Sequence, residues 1–391
     1  MYRNILSIII PTRNRQVYAC KTIETILDLN RNDFEIIVQD NSDDDSLKSM
    51  LDKYSSDSRL RYFYDSGCLS FCANFEKSVT NSSGDYLVMI GDDDCILPEI
   101  LDLVDIMRGK GIEATVFPTC YSYYWPNSIH GKSGELVIRK QYGKLKKLSS
   151  VSAIEDMKNV GNYDYQQYNF PKIYHGVVSR KSLDKVKNKT GVYFGGLTPD
   201  IYSAVSLAFY IKDYLYVGLP FTLPGVCARS GSADSLTGKH TGDLAKAPHF
   251  RGHDHYEWEE IIPYVYSVDT IWAETAVKAI RENGASFDFS DKQLFRFFCY
   301  IILNNPVFKD EMISLYADRT SRKSQPLRFA WYVSYLKCRR FVKKGFNFGI
   351  QCLKGRYTYE GVEDIQKALE LISKKIPSYD KVLNKLKEMD F

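Results

Sequence analysis

Residues 84–98 of the chain have the sequence GDYLVMIGDDDCILP. The apolar run Tyr86–Ile90 predicts a buried strand, and Pro98 predicts the start of a helix. Between them stand three consecutive carboxylates, Asp92, Asp93 and Asp94. Because ligands of parallel α/β sheets bind at the carboxyl ends of strands, these acids are candidates to bind Mg²⁺ or Mn²⁺ beside a substrate's phosphates. The alternative is a solvated acidic turn.

The first half of the chain alternates short apolar runs with amphipathic helical patterns, which is typical of βαβ units and a mostly parallel sheet. The expected strands are Leu6–Ile10, Phe34–Val38, Leu60–Tyr64, Tyr86–Ile90, Glu113–Pro118 and Tyr214–Val217. The expected helices are Val17–Leu29, Asp45–Tyr54, Phe71–Thr80, Pro98–Arg108 and one that opens at Pro199. Residues 121–147 are expected to form loops. From Trp258 onward nearly all of the chain has a helical period, ending in Ile365–Ser373 and Tyr379–Met389.

The composition indicates a globular protein of more than one packed unit. The chain has 391 residues, of which 44% are hydrophobic and 26% charged. No apolar run is long enough to span a membrane, and Ile5–Ile10 is too short for a signal peptide. The nine cysteines form no CxxC pair, which favours reduced thiols and a cytoplasmic location. We expect an α/β domain over residues 1–235 and a mainly helical region over residues 236–391.

Polar residues suited to a nucleotide follow several of the expected strands. Pro11, Thr12, Arg13 and Asn14 follow the first strand, and Asp40 opens the sequence DNSDDD after the second. A base needs hydrogen-bonding partners, a ribose needs acceptors for its hydroxyl groups, and a pyrophosphate needs a cation. One edge of one sheet could supply all three.

In sequence order, PTRNR, EIIVQDNSDDDS, the NF of Asn74-Phe75 and GDYLVMIGDDDCILPEIL resemble motifs of the inverting family 2 glycosyltransferases. The resemblance covers about the first 110 residues in register and extends more loosely to about residue 230. It implies a GT-A-like, Rossmann-type fold: a mostly parallel sheet flanked by helices.

The resemblance also implies roles for matching residues. Pro11, Thr12 and Arg13 match the first nucleotide loop, and Asp40 matches the acid that holds the base. Asp92 and Asp93 match the DxD-type signature, in which one acid contacts the ribose and the other the metal. The commoner form is DADD, and its first Asp is replaced here by Gly91. Which acid binds the ion is therefore open; we favour Asp93, with Asp94 assisting.

Members of the resembled family place their general base about a hundred residues after the metal motif. In GGLTPDIYSAVSLAF, Asp200 lies in the first turn of a helix opened by Pro199, which fits that position. The alternative is that Asp200 merely favours the positive end of the helix. His175 resembles a position that lines the acceptor side, and a structural histidine is the alternative.

Two further segments are candidates for ligand binding. Arg229 and Ser230 could contact the diphosphate, since Arg suits bidentate phosphate binding, and a surface salt bridge is the alternative for Arg229. The segment HFRGHDH, with His249, His253 and His255, suggests either a zinc site or a loop that contacts the donor phosphate or the acceptor.

Residues 319–356 contain eleven Lys or Arg and no Asp or Glu, with aromatic residues interleaved. Basic aromatic helices of this kind can lie on an anionic membrane, which would place the protein at the inner face of the membrane. The alternative is a helical bundle whose aromatic residues form its core. Self-association is a further expectation, and no nucleic-acid motif accompanies the charge.

These patterns together predict a metal-dependent inverting glycosyltransferase. The donor would be a nucleotide-sugar, expected to be a UDP-sugar, and the acceptor a glycan or lipid-linked glycan of cell-surface polysaccharide. A sugar nucleotidyltransferase is one rival, although PTRNR lacks the glycines that such enzymes carry after the first strand. A non-catalytic module that binds nucleotide-sugars or glycans is another.

Overall fold

The structure is a computed structural model that describes residues 5–128, 133–141, 143–228, 244, 247–253, 255–375 and 379–391, with side chains omitted at 351–354. Its strands are β1 Leu6–Thr12, β2 Phe34–Asp40, β3 Leu60–Tyr64, β4 Tyr86–Met89, β5 Cys95–Ile96, β6 Ala114–Val116, β7 Tyr121–Tyr124, β8 Glu135–Arg139, β9 Leu145–Ser149, β10 Gly176–Ser179, β11 Asp213–Val217, β12 Thr222–Leu223, β13 Gly225–Val226 and β14 Arg356–Tyr359.

The helices of the described residues are α1 Gln16–Leu27, α2 Ser46–Met50, α3 Phe71–Thr80, α4 Ile100–Lys110, α5 Ser150–Val160, α6 Arg180–Thr190, α7 Pro199–Leu207, α8 Val268–Glu282, α9 Asp291–Asn304, α10 Lys309–Thr320, α11 Pro326–Lys354, α12 Ile365–Ser373 and α13 Asp380–Glu388. None of them combines the length and apolarity that a membrane crossing requires.

An eight-stranded sheet in the order β3-β2-β1-β4-β10-β6-β11-β9 forms the centre of the fold. Six strands point the same way, while β10 and β9 are antiparallel to their neighbours. Each face of β1 is buried: Ile8 and Ile10 pack with residues of α1 and α4, and Ile9 packs with residues of α3 and α6. A strand covered on both faces needs a mostly apolar sequence, and β1 is apolar except for Ser7 and Thr12. The expected mostly parallel sheet flanked by helices is confirmed.

The expectation of loops over residues 121–147 was wrong. Strands β7, β8 and β9 lie in this segment, and β7 and β8 belong to a four-stranded sheet of order β13-β7-β8-β14. Two aromatic side chains of β7, Tyr121 and Tyr123, are buried and belong to the core. These strands are short and interrupted by turns, so their period is too brief to separate from that of a loop.

A second core lies among the helices α5 and α7–α11. It is rich in aromatic residues, including Phe295, Phe297 and Tyr316. The expected helical character of the later chain is therefore correct, with one exception. Strand β14 interrupts it by pairing with β8, over Arg356↔Arg139 to Tyr359↔Leu136.

Residues after β14 return to the N-terminal α/β layer. The Lys21 side chain of α1 lies 3.0 Å from Asp364 and donates to Gln366 of α12 at 2.9 Å. Near α13, Lys110 donates to the Met389 carbonyl at 2.8 Å. The expected boundary between residues 235 and 236 falls outside the described residues, and this division stays a prediction.

Candidate active site

Three of the predicted binding segments meet at the carboxyl edge of the sheet. Thr12 ends β1 beside Asp40, which ends β2, and β4 runs parallel to β1 on its other side. The acids at 92–94 follow β4 directly. Parallel pairing brings these ends to one edge, as the sequence predicted.

Asp92 is fully buried and held by an Arg that the sequence analysis did not select. The Thr12 hydroxyl donates to Asp92 at 2.6 Å, and Arg15 contacts both carboxylate oxygens, at 2.8 and 3.0 Å. Such two-point Arg–carboxylate pairs fix orientation as well as charge. Burial still raises the pKa of Asp92, against the opposing effect of Arg15. Asp92 thus links Thr12 and Arg15, at the end of β1 and in the loop after it, to the acidic segment.

Asp93 faces the cavity with weaker protein contacts. One oxygen accepts from the Cys227 amide at 3.0 Å, and the other lies 3.4 Å from Arg15. Burial raises the pKa of Asp93, and the neighbouring Asp94 raises it further. Asp93 thus has fewer and longer contacts with the protein than Asp92 and Asp94 have.

Asp94, in contrast, accepts from four donors. The amides of Gly91 and Gly225 each donate at 2.7 Å, the Tyr174 hydroxyl at 3.2 Å, and His175 Nε2 lies at 3.1 Å. Burial disfavours the ionised form, but His175 and these donors outweigh it and lower the pKa of Asp94. Asp94 is thereby fixed as a carboxylate that joins β4 to β10 and β13.

The contact with Gly225 requires a residue without a side chain. A Cβ at this position would lie 1.7 Å from the Asp93 carbonyl oxygen, which no relaxation of a flexible side chain could relieve. This close approach lets the Gly225 amide reach Asp94 and the Cys227 amide reach Asp93. Residues 225–227, which precede Arg229 in sequence, therefore donate backbone hydrogen bonds to Asp93 and Asp94.

His175 has both ring nitrogens engaged. Nε2 faces Asp94, and Nδ1 lies 2.9 Å from the Thr222 hydroxyl. Its backbone has a φ of 49°, in the left-handed region that non-glycine residues seldom adopt. These contacts favour a role in positioning Asp94, although His175 also lines the cavity.

A cavity of about 750 Å³ adjoins the acids and brings the predicted base to them. Asp93 and Asp94 line it from one side and Asp200, in the first turn of α7, from another. The predicted metal-binding acids and the predicted base therefore share one cavity, although they are separated by more than a hundred residues in sequence.

The surroundings of Asp200 raise the pKa of its carboxyl group. Burial raises its pKa, while the Tyr165 hydroxyl, which donates to Oδ2 at 2.9 Å, and the charge of Lys172 oppose that shift. Burial also lowers the pKa of Lys172 to about 8. A carboxylate with a raised pKa, facing a cavity, is suited to accept a proton.

The predicted nucleotide side lies around the ends of β1 and β2. Arg13 pairs with Asp43 at 3.0 Å and Asn14 exchanges hydrogen bonds with the same residue, so the two loops are joined. Asp40 is fully buried and accepts from the Ser42 amide and the Tyr62 hydroxyl. In this arrangement Asp40 shapes the loop that follows β2.

A segment distant in sequence also reaches this region. The Arg251 guanidinium donates to Asn41 Oδ1 at 3.3 Å. The same oxygen lies 3.5 Å from the guanidinium of Arg13. Gly252 has a φ of 73°, and a Cβ there would lie 2.5 Å from the Ser70 amide nitrogen. The HFRGHDH segment therefore contacts the loop that follows β2 and the start of α3. Among the described residues, no three His, Cys, Asp or Glu side chains are placed to hold a metal ion by themselves.

Apart from Asp92 Oδ1, which has only its ion pair with Arg15, two buried oxygens near the site have no hydrogen-bond partner within the described parts of the chain. They are Asn74 Oδ1, at the start of α3, and Thr198 Oγ1, which lines the cavity. Buried polar atoms usually have partners, so these two are suited to a ligand or to water. The predicted Pro11 lies in β1, directly before Thr12, and Arg229 falls outside the described residues.

Several residues of the candidate site were not selected from the sequence. Arg15 stands in the quoted PTRNR and could have been selected, because a buried acidic cluster needs a cation. Tyr165, Lys172 and Tyr174 lie in an aromatic stretch with no recognisable motif. Only the fold brings them to the cavity.

Replacing Tyr165 by phenylalanine is expected to reduce kcat/KM about tenfold at mildly acidic pH and much less at alkaline pH. The substitution removes a hydrogen bond to ionised Asp200, so its pKa rises further and the base is protonated over more of the acidic range. A pH–rate profile measures the effect. Tyr168→Phe, whose hydroxyl donates to the Asn162 carbonyl instead, is the control. An equal loss at every pH would contradict this role.

Part of the chain is similar to known proteins. The model of the family described as Glycosyl transferase family 2 matches residues 7–156. Over 208 residues the chain is 26% identical to the GalNAc(5)-diNAcBac-PP-undecaprenol beta-1,3-glucosyltransferase of Campylobacter jejuni. That match covers 53% of this chain and spans 62% of the length of the relative.

Solved structures of S. aureus TarS also match. TarS 1-349 in complex with UDP-GlcNAc is 12% identical, with 78% of this chain and 73% of that chain covered and a TM-score of 0.44. TarS 1-349 in complex with UDP is 15% identical, with 81% and 87% covered and a TM-score of 0.42. By the family match and the curated relative, the chain is similar over residues 7–156 to glycosyl transferase family 2.

Proposed function

We propose that the protein transfers a sugar from a nucleotide-sugar to a hydroxyl group of a lipid-linked glycan, with inversion at the anomeric carbon. The observation that carries this proposal is the shared cavity: Asp93 and Asp94 line it together with Asp200. A glycosyl transfer needs a site for the diphosphate and a base for the acceptor, and this cavity offers acids suited to each role.

The donor nucleotide would lie along the carboxyl ends of β1 and β2. Arg13, Asn14 and Asp40 border this region, and Arg251 approaches it from the C-terminal side. Asn74 offers an acceptor atom with no partner in the described residues. A UDP-sugar is the donor we propose, because the resemblance to family 2 motifs assigns Asp40 to binding the uracil or other nucleobase.

The residues present fit a divalent cation. Three buried carboxylates face one Arg and one His, so negative charge is in excess, and burial raises the pKa of Asp92 and Asp93. Asp93 would hold the ion because it has the fewest protein donors, and the diphosphate would supply further oxygens. Bound there, Mg²⁺ or Mn²⁺ would neutralise charge on the leaving diphosphate.

Asp200 would act as the base. As the acceptor oxygen attacks the anomeric carbon, its proton passes to the Asp200 carboxylate, and the bond to the nucleoside diphosphate breaks with its electron pair leaving on the diphosphate oxygen. Tyr165 would orient the carboxylate through its hydrogen bond. Attack from the face opposite the departing group inverts the anomeric centre.

The proposed acceptor class follows the relative from C. jejuni, whose name specifies a glycan on undecaprenol diphosphate. A cavity of about 750 Å³ with a lining of aromatic residues, including Phe71, Phe117 and Trp272, is suited to sugar rings. We therefore propose a polyprenyl-diphosphate-linked glycan as acceptor.

A panel of nucleotide-sugars tested by thermal unfolding checks the donor proposal. We expect a UDP-sugar with Mn²⁺ to raise the midpoint by about 3 °C or more at saturating ligand, because only the folded state binds it. Without metal the rise should be smaller. Release of pyrophosphate from UTP and a sugar phosphate would instead show a nucleotidyltransferase, and stabilisation by no nucleotide-sugar would contradict the proposal.

A further inference from the structure

Helix α11, Pro326–Lys354, is anchored to the protein along one side of its first half. Phe329, Val333 and Leu336 are buried in the aromatic core beside Phe295 and Tyr316. Arg340 adds a hydrogen bond of 2.8 Å to the Asn304 side chain. These contacts fix which face of the helix points away from the protein.

The opposite face is apolar and exposed. Its side chains are large hydrophobic residues that are 47–85% exposed: Leu327, Trp331, Tyr335, Phe341, Val342, Phe346 and Phe348. At 3.6 residues per turn they occupy an arc of about 160°, centred opposite the buried face. We call this set the α11 apolar face. Exposed apolar patches of this extent mark interaction sites.

Cations border the α11 apolar face on both sides. By the same helical spacing, Lys337 and Lys344 lie along one border, and Arg339 and Lys343 lie along the other. All four are exposed, and in the part of the chain that the structure describes none forms an ion pair with a carboxylate. Because residues 319–356 contain no acid, the charge of this surface is uncompensated locally.

The cations that border the α11 apolar face favour an anionic membrane over a second copy of the chain as its binding partner. A second copy docked through α11 would bring two sets of cations together, and no acid on the helix could pair with them. An anionic bilayer offers negative headgroups at the borders and acyl chains at the centre, and each Lys or Arg near such a surface adds to binding. Aromatic residues flanked by cations are the pattern of helices that lie in the headgroup plane.

We propose that α11 lies flat on an anionic membrane surface, with the α11 apolar face inserted and Lys337, Arg339, Lys343 and Lys344 contacting headgroups. Binding requires neither donor nor acceptor, so it is separate from the transfer reaction. It would hold the cavity beside a membrane that carries a lipid-linked substrate, and that consequence alone rests on the proposed function.

Flotation of the full chain with lipid vesicles tests this assignment. We expect binding to vesicles of phosphatidylcholine with about 30% phosphatidylglycerol, weak binding to phosphatidylcholine alone, and weakening as salt screens the cations. Phe341→Ser with Phe346→Ser should weaken binding at least about tenfold, because exposed side chains contribute to the bilayer contact and not to folding. Val307→Ser, at a site 79% exposed outside the face, should not.

A second measurement separates insertion from surface adsorption. Lipids brominated on the acyl chain should quench tryptophan fluorescence in the wild type and not in Trp331→Phe, because Trp331 lies on the α11 apolar face. Absence of flotation with anionic vesicles would overturn the proposal. So would a dimer in solution that the two Phe substitutions dissociate, or salt-dependent binding to duplex DNA, if either occurred without vesicle binding.

Discussion

Replacement of Asp200 by asparagine is expected to reduce sugar transfer about 10³-fold while leaving donor binding intact. Asparagine keeps the shape of the side chain and can still accept the Tyr165 hydrogen bond, but it cannot take the proton of the acceptor hydroxyl. The loss should therefore appear in kcat, measured by release of nucleoside diphosphate. Metal-dependent thermal stabilisation by the donor should stay at the wild-type level.

Asp213→Asn is a suitable control for this substitution. Asp213 is a partly exposed carboxylate at the start of β11 that pairs with Lys147 at 3.5 Å, and it does not line the cavity. Its replacement should leave transfer unchanged. Full turnover by Asp200→Asn would remove Asp200 as base. Loss of both transfer and donor binding would indicate a structural role for its carboxylate at the start of α7.

The sheet was predictable where its strands are buried on both faces. β1, β2 and β4 are mostly apolar runs that end abruptly in polar residues. The half-buried edge strand β3 was also predicted with its observed bounds, Leu60–Tyr64. In strands buried on both faces one sequence signal marks both the core and the carboxyl edge. This is why the sequence alone places the acids at 92–94 at the carboxyl edge of the sheet.

Strand β14 could not be predicted in this way. Its sequence, RYTY, stands at the end of a long basic helix, and no apolar run marks it. It is a strand because β8, more than two hundred residues earlier, offers an edge with which to pair. Pairing of this kind depends on tertiary context more than on intrinsic propensity.

The candidate site likewise contains some residues that local sequence signals predict and others that only the tertiary fold brings there. The residues selected from motifs, such as Asp93 and Asp200, follow local signals: a strand end and a helix start. Tyr165 and Lys172 lie at the cavity because the aromatic core positions the segment before β10. The basic stretch also divides in the structure, since Phe329 belongs to the core and Phe341 is exposed. Sequence period alone could not place the start of the exposed part.

Replacement of Asp93 by asparagine is expected to abolish the metal-dependent part of donor binding and to reduce transfer about 10²- to 10³-fold. The amide can still accept from the Cys227 backbone, so the fold around it should persist, but it offers no negative charge to a cation. Asp92 keeps its two-point contact with Arg15, and Asp94 keeps its four donors, so neither is free to replace Asp93 as a ligand.

Thermal unfolding in the presence of UDP-sugar, with and without Mn²⁺, measures this effect directly, independent of turnover. The wild type should gain stability from the metal, and Asp93→Asn should not. Asp105→Asn is the matched control, because Asp105 is an exposed carboxylate on α4 that pairs with Arg31 at 3.2 Å. If Asp93→Asn kept the full metal response while Asp94→Asn lost it, Asp94 would be the ligand. The four donors of Asp94 would then have to rearrange when the ion binds, because in the present arrangement Asp93 is the carboxylate with fewer protein donors.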